Sequence, residues 1–208
     1  MKDWKKKSMK LFFDLETIPA PENLREVAIE AGRKKVRNRE IADDDEALYR
    51  ASSISGDFGR IFCIGYAIDD QPTEIIKGRE QEILKNWWEV AKSAHVFIGH
   101  NIIDFDIPFL YKRSIIQKIK PSQFLPVKKF STENIFDTAK EWSRWDNYSQ
   151  TSLHHLAIGL QLPSSKDQMD GSQVYDYYLK KRFEDIYTYC KKDVELTRKI
   201  YKRMLFIS

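Results

Sequence analysis

Four acidic residues and a tyrosine, spread over three short segments, have the types and spacing to do chemistry together. Asp14 and Glu16 stand in LFFDLETIP, an aspartate in GHNIIDFDIPFL, and Tyr189 with Asp193 in YTYCKKDVELT. Alternate side chains of a strand point to one face, so a strand through Asp14 and Glu16 projects both carboxylates together. Two adjacent carboxylates repel each other unless a cation sits between them. Hard oxygen donors of this kind suit Mg²⁺ or Mn²⁺. Tyr189 and Asp193 are four apart and share a face of any helix that carries them. A tyrosine beside a metal-binding carboxylate can hold a water for attack. The middle segment leaves two acids open, Asp104 and Asp106. Two apart on a helix they point in different directions, so at most one faces the other acids. Asp104 is well placed as an N-cap. Together, in this order, the segments read as a carboxylate cage for two divalent metals.

The elements that must position these groups follow from pattern. Lys10 to Leu15 reads as a short strand, and Thr17-Ile18-Pro19 ends it because proline cannot continue a central ladder. Residues 20–58 read as a charged, mostly helical insertion. Leu24, Val27, Ala28 and Ala31 recur at helical spacing, Gly32 can stop that helix, and Asp43-Asp44-Asp45 opens a second short one containing Leu48. Arg60–Ile68 is a buried strand, and Pro72–Ile76 pairs back on it. Arg79–Ala94 is an amphipathic helix with Trp87 and Trp88 in the core. A short strand, 95–98, ends at Gly99. A helix starts near Asp104, with Pro108 in its first turn or so, where a missing N–H costs little. A strand at 134–136 ends in Asp137, residues 152–160 are helical, 164–171 are loop, and Glu184–Leu205 is the last, long helix. Three antiparallel strands followed by strands alternating with helices predict a mixed α/β sheet with helices on both faces.

Composition sets bounds. A chain of 208 residues suits one domain with an insertion and can hide roughly 70% of its unfolded surface. A hydrophobic content of 42% and aromatic content of 13% are those of an ordinary globular protein. The net charge of +4 arises from 35 Lys and Arg against 31 Asp and Glu. Its cations come in small groups: Lys5–Lys7, Arg33–Arg39, Lys128–Lys129, Lys180–Arg182 and Lys191–Lys192. Basic patches around an acidic site can steer a polyanion. Two cysteines, Cys63 and Cys190, are too few for a disulfide framework. Both read as buried free thiols, which fits a reducing compartment. The N-terminus lacks the apolar stretch of a signal peptide, and the run IFCIGYAI is far too short to span a bilayer. A cytoplasmic location is expected.

The three segments resemble the three exonuclease motifs of the DEDD superfamily of 3′–5′ exonucleases. D-x-E corresponds to Asp14 and Glu16. N-x-x-x-F-D corresponds to Asn101, Phe105 and Asp106, which favours Asp106 over Asp104. Y-x-x-x-D corresponds to Tyr189 and Asp193 and marks the tyrosine subclass; the histidine subclass would carry its base where Thr188 stands. The wording FFDLETIP, GRIFCIG, GHNIIDFDIPFL, FDTAKEW, KDQMDGSQV and YCKKDVELT is similar to stand-alone exonucleases related to the proofreading domain of family B DNA polymerases.

The resemblance implies a ribonuclease H-like, five-stranded α/β fold over 1–208. It implies two bound Mg²⁺ or Mn²⁺ ions, with Asp14 bridging both, Glu16 and Asp193 completing one and Asp106 supporting the other. Tyr189 would orient the attacking water, and Asn101 and Phe105 would position substrate. Two metals roughly 3.5–4 Å apart support in-line displacement at phosphorus. The expected reaction is release of 5′-mononucleotides from the 3′ end of single-stranded DNA, whose splayed bases can stack on aromatic side chains. An exoribonuclease and a non-catalytic nucleic-acid-binding module are the alternatives. The cations Arg25, Arg33, Lys34, Lys35, Arg37 and Arg39 lead to the expectation that 20–58 flanks the substrate groove and neutralises phosphates.

Overall fold

The computed structural model describes residues 8–36, 43–127, 134–146, 149, 151–163 and 169–207. Lys5–Lys7, Arg37, Arg39, Lys128–Lys129 and most of the 164–171 loop lie outside the described residues. Five strands form one sheet: β1 (Lys10–Ile18), β2 (Arg60–Ile68), β3 (Glu74–Lys77), β4 (Val96–Gly99) and β5 (Ile135–Asp137). Their order is β3-β2-β1-β4-β5. β1, β2 and β3 are antiparallel neighbours, whereas β4 runs parallel to β1 and β5 parallel to β4. The helices are α1 (Arg25–Lys35), α2 (Asp45–Ala51), α3 (Glu80–Ala91), α4 (Asp106–Ile116), α5 (Thr138–Ser143), α6 (Leu153–Gly159), α7 (Val174–Leu179) and α8 (Phe183–Met204). This is the mixed, helix-flanked sheet that the pattern predicts.

The two faces of β1 divide the protein. Leu11, Phe13 and Leu15 point into the larger core with Trp87, Trp88 and Leu110 of α3 and α4. Each such side chain contributes about 1.5–3 kcal/mol by burial. Phe12 points the other way, onto Tyr201 of α8, in an edge-to-face contact of 5.4 Å. By alternation Asp14 and Glu16 share the face of Phe12, toward α8.

Several local readings need correction. β1 does not stop before Thr17; it continues to Ile18 through a register shift between Glu16 and Thr17. An extra residue at such a bulge bends the strand while pairing resumes beyond it. Gly32 does not end α1, which runs on to Lys35. Its buried residues are Ala28 and Ile29, while Leu24 and Val27 are exposed. Burial of a short helix is decided by what it leans on, and α1 leans on α2. α4 starts at Asp106, not Asp104, and its N-cap position is Phe105 with no side-chain cap. Asp104 instead forms an ion pair with the buried Lys140 at 2.5 Å. Helices α5 and α7 were not anticipated; six residues are too few to show a clear apolar period.

The insertion has its own small core of Ala20, Ala28, Ile29, Leu48 and Tyr49. The Tyr49 hydroxyl donates to the Ala20 carbonyl at 2.8 Å, and the Ala20 amide donates to Ser52 Oγ at 3.0 Å. Arg50 ties it to α7 through Asp176 at 2.8 Å. Among the described residues no helix is long and apolar enough to cross a membrane.

Candidate active site

β4 pairs with β1 only from Lys10 to Phe12. Beyond Phe12 that edge of β1 has no strand beside it. The amide of Leu15 is met there by a side chain: it donates to Asp106 Oδ1 at 3.1 Å. One hydrogen bond thus seats the first turn of α4 against the strand that carries Asp14 and Glu16.

The turn that delivers Asp106 is held by Asp137, at the end of β5. Its carboxylate accepts from the amides of Asn101 at 2.8 Å and Ile103 at 3.0 Å. It also caps α5, accepting from Ala139 at 2.9 Å and Lys140 at 3.3 Å. Asn101 adopts a left-handed conformation, φ 63°, which asparagine tolerates better than most residues. Its Oδ1 is buried without a hydrogen-bond partner. His100, beside this turn, bonds Thr138 Oγ1 at 2.9 Å and the Thr151 carbonyl at 3.0 Å. Burial lowers its pKa, so the ring is biased toward the neutral form.

Helix α8 crosses the same end of β1 on the other face. Ile186, Tyr189, Cys190, Asp193, Val194 and Thr197 recur on its buried side at helical spacing. Tyr189 hydrogen-bonds the Asp193 carboxylate one turn on. The close approach of α8 is permitted by Gly65, which stands opposite Asp14 in the β1–β2 ladder. A Cβ there would lie 2.8 Å from Cys190 Sγ.

The four acids therefore converge from three elements: Asp14 and Glu16 from β1, Asp106 from α4 and Asp193 from α8. Glu16, Asp106 and Asp193 are buried and Asp14 is half-buried. Burial raises the pKa of Asp14 and Glu16 well above the carboxylate range, and repulsion from neighbouring acids raises both further. Burial likewise lifts Asp106 to about 8, opposed by the Leu15 amide. Tyr189 is pushed up by burial first, then by Asp193, Glu16 and Asp14, so its hydroxyl keeps its proton.

Cys190 is the group that the sequence did not suggest. Its Sγ and one carboxylate oxygen each of Asp14 and Glu16 lie within 4.8 Å of one another. The thiol accepts from the Gly65 amide at 3.1 Å and faces the Asp14 carbonyl at 3.6 Å and Asp14 Oδ2 at 3.8 Å. Burial pushes this thiol up, followed by its hydrogen-bonded neighbour Cys63. In the absence of a cation the neutral S–H faces Asp14 as a donor. Asp137 was also missed as a supporting group. Its only signal was an acid directly after a short apolar strand, inside FDTAKEW.

The donor set fits divalent cations. Asp14 and Glu16 offer oxygens close enough to share an ion, and the charge that burial and repulsion penalise in these acids is what a cation would neutralise.

Residues 66–208 match the family model described as "Predicted 3'-5' exonuclease related to the exonuclease domain of PolB". The chain belongs to this family. Among solved structures, it is similar to the family B DNA polymerase of the hyperthermophilic archaeon Pyrobaculum calidifontis. The TM-score is 0.68 at 14% identity, over 96% of this chain and 25% of that one. Identity this low shows the fold alone: the ribonuclease H-like α/β architecture of a PolB exonuclease domain. The chain spans about a quarter of the polymerase's length. Among curated proteins none matches. As in the family description, exonuclease activity is predicted for its members, and the match begins after the insertion and β1.

Proposed function

We propose that this protein is a metal-dependent 3′–5′ exonuclease that removes 5′-mononucleotides from single-stranded DNA. The observation that carries this reading is the convergence of Asp14, Glu16, Asp106 and Asp193 at one end of β1, with Tyr189 hydrogen-bonded to Asp193. A fold does not fix a function; this arrangement of acids inside a family of predicted exonucleases is what supports it.

In the reaction a water oxygen attacks phosphorus in line with the scissile P–O3′ bond. That bond breaks, and the strand keeps the 3′ oxygen, which takes up a proton. Asp14, Glu16, Asp106 and Asp193 would hold Mg²⁺ or Mn²⁺. When bound, the cations supply Lewis-acid stabilisation of the charge developing on the phosphoryl oxygens and ease ionisation of the attacking water. Tyr189 contributes as a donor, not a base: its raised pKa keeps the hydroxyl protonated, anchored to Asp193 and able to orient water. Asp106 holds α4 on β1 through the Leu15 amide and presents its remaining carboxylate oxygen to the site. The Cys190 thiol and the Gly65 amide beneath it brace Asp14 from behind. Asn101 and Phe105 flank Asp106 and position the substrate strand.

The test is degradation of end-labelled single-stranded DNA and RNA of matched sequence with Mg²⁺, with Mn²⁺ and with chelator. A ladder shortening from the 3′ end of DNA, abolished by chelator, is expected. Degradation of RNA with DNA spared would make the protein an exoribonuclease. Binding of both without cleavage under either metal would leave a nucleic-acid-binding module.

A further inference from the structure

Two carboxylates at the starts of helices capture strand amides near the acids. One is Asp106, which accepts from the Leu15 amide at 3.1 Å. The other is Glu80, the first residue of α3. The pairing of β2 with β3 ends at Cys63 and Lys77. The chain then turns at Gly78, with φ 133°, a conformation that glycine reaches without strain, and enters α3. Glu80 Oε1 accepts there from the Ile61 amide at 2.9 Å. Ile61 stands opposite Thr17, across the register shift that follows Glu16.

The same carboxylate holds α4. Arg113 donates to it through two nitrogens, Nε to Oε1 at 2.8 Å and Nη2 to Oε2 at 2.7 Å, and Gln117 Nε2 adds a bond to Oε2 at 2.6 Å. Both side chains of this ion pair are buried, 6% exposed for Arg113 and 9% for Glu80. A two-pronged guanidinium–carboxylate pair fixes direction as well as distance. Arg113 lies about two turns after Asp106, on the same face of α4 and roughly 10 Å along its axis. The helix is thereby anchored at both ends. The ties close a ring around the acids. It runs from Glu16 through Thr17 and Ile61 to Glu80, across to Arg113, along α4 to Asp106, and back through the Leu15 amide.

We propose that Glu80 and Arg113 are positioning residues for phosphodiester cleavage: their ion pair sets the slide and rotation of α4, and with them the place of Asp106 relative to Glu16. The pair acts through Asp106 and contributes no ligand of its own. The inference rests on the exonuclease reading and deepens it. A buried ion pair does little for stability in itself, because desolvation offsets the attraction, and neutral replacements of similar size are often as stable. What a neutral pair does not supply is a directional hold on one setting of α4. Misplacing a catalytic group by about 1 Å can cost roughly 10²-fold in rate.

The test separates turnover from stability. Glu80→Gln combined with Arg113→Met removes both charges, keeps an acceptor for the Ile61 amide and leaves no buried ion alone. Its melting temperature should stay close to wild type. On end-labelled single-stranded DNA with Mn²⁺, kcat should fall about 10- to 100-fold. The Mn²⁺ concentration giving half-maximal thermal stabilisation should rise, because Asp106 is displaced. Oligonucleotide affinity in chelator, read by fluorescence anisotropy, should be unchanged, since both side chains are buried away from any bound strand. Arg113→Lys keeps the buried charge paired and loses the fork, and reads the same split in a second protein. Wild-type kcat in either folded variant would overturn the positioning role and leave the exonuclease reading standing. So would kcat and strand affinity falling together with the melting temperature, the mark of general loosening. A wild-type protein that degrades no strand would overturn both.

Discussion

The amide of Gly65 donates to the sulfur of Cys190 at 3.1 Å, at the point where α8 meets the sheet opposite Asp14. With no side chain on Gly65, α8 can lie close enough for Asp193 and Tyr189 to reach the acids of β1. Gly65→Ala would put a Cβ 2.8 Å from Cys190 Sγ, 3.1 Å from Val194 Cγ2 and 3.2 Å from the Cys190 carbonyl. Overpacking of this kind costs about 1–3 kcal/mol. We expect a lower melting temperature together with lost nuclease activity. Adding Cys190→Ala should restore part of the stability, because it removes the nearest of the three clashing atoms. A Gly65→Ala protein with wild-type stability and turnover would mean that α8 has room to move without consequence.

Asp14→Asn and Asp193→Asn should each abolish cleavage and leave the fold intact. Each removes a charged oxygen ligand from a crowded group of acids, while the two cores that flank β1 are untouched. Asp14 is raised by burial and by the repulsion of Asp193 and Asp106, so Asp14→Asn should also raise the melting temperature of metal-free protein near pH 8. For a chain of this size each kcal/mol relieved is worth about 2–4 °C. Near wild-type cleavage by either variant would remove that acid from the site.

The raised carboxyls also give the metal-free protein a pH dependence. A carboxyl whose folded pKa lies above its unfolded value stabilises the fold through its bound proton. That contribution is complete below the unfolded range, about pH 4, and is lost as pH climbs through the folded value, about 8 for Asp106. Melting in chelator should therefore fall between pH 5 and pH 9, and Mg²⁺ should raise it more at pH 8 than at pH 5. The same profile with and without Mg²⁺ would argue against a cation among these acids.

Tyr189→Phe should lower kcat by about 10²–10⁴-fold while the Mn²⁺ concentration giving half-maximal thermal stabilisation stays nearly unchanged. The hydroxyl bonds Asp193 and stays protonated, so it positions water and does not ligate. A large loss of Mn²⁺ affinity with unaltered kcat at saturating metal would reverse that role.

Asp106→Asn should be inactive and Asp104→Asn active. Asp106 is buried on β1, whereas Asp104 is exposed and pairs with Lys140. Because Lys140 is buried, weakening its partner should still cost Asp104→Asn some thermal stability. Melting curves and strand-degradation rates on the same two preparations separate these effects, and the opposite ranking of rates would assign the wrong aspartate.

The sequence by itself carried the five strands and their mixed antiparallel and parallel pairing, since period and alternation are local properties of the chain, while their order in the sheet came from the tertiary structure. It also carried the three acidic segments and the pairing of Tyr189 with Asp193 on one helical face, because four residues make one turn wherever the helix goes. Where β1 ends was not legible: a bulge is decided by the partner strand, and β2 continues beside it past Glu16. Nor was the start of α4, because Asp106 is drawn to an amide 91 residues away, left open where β4 stops short. Cys190 beside Asp14, and Asp137 clamping the turn before Asp106, join residues far apart in the chain, and such meetings leave no periodic trace. A cavity between the insertion and α4 belongs to the same class. Phe105 and Lys35 stand out in the sequence, but nothing local joins them to Phe58, Phe109 and Lys112 until tertiary packing sets α1, α2 and α4 around one space.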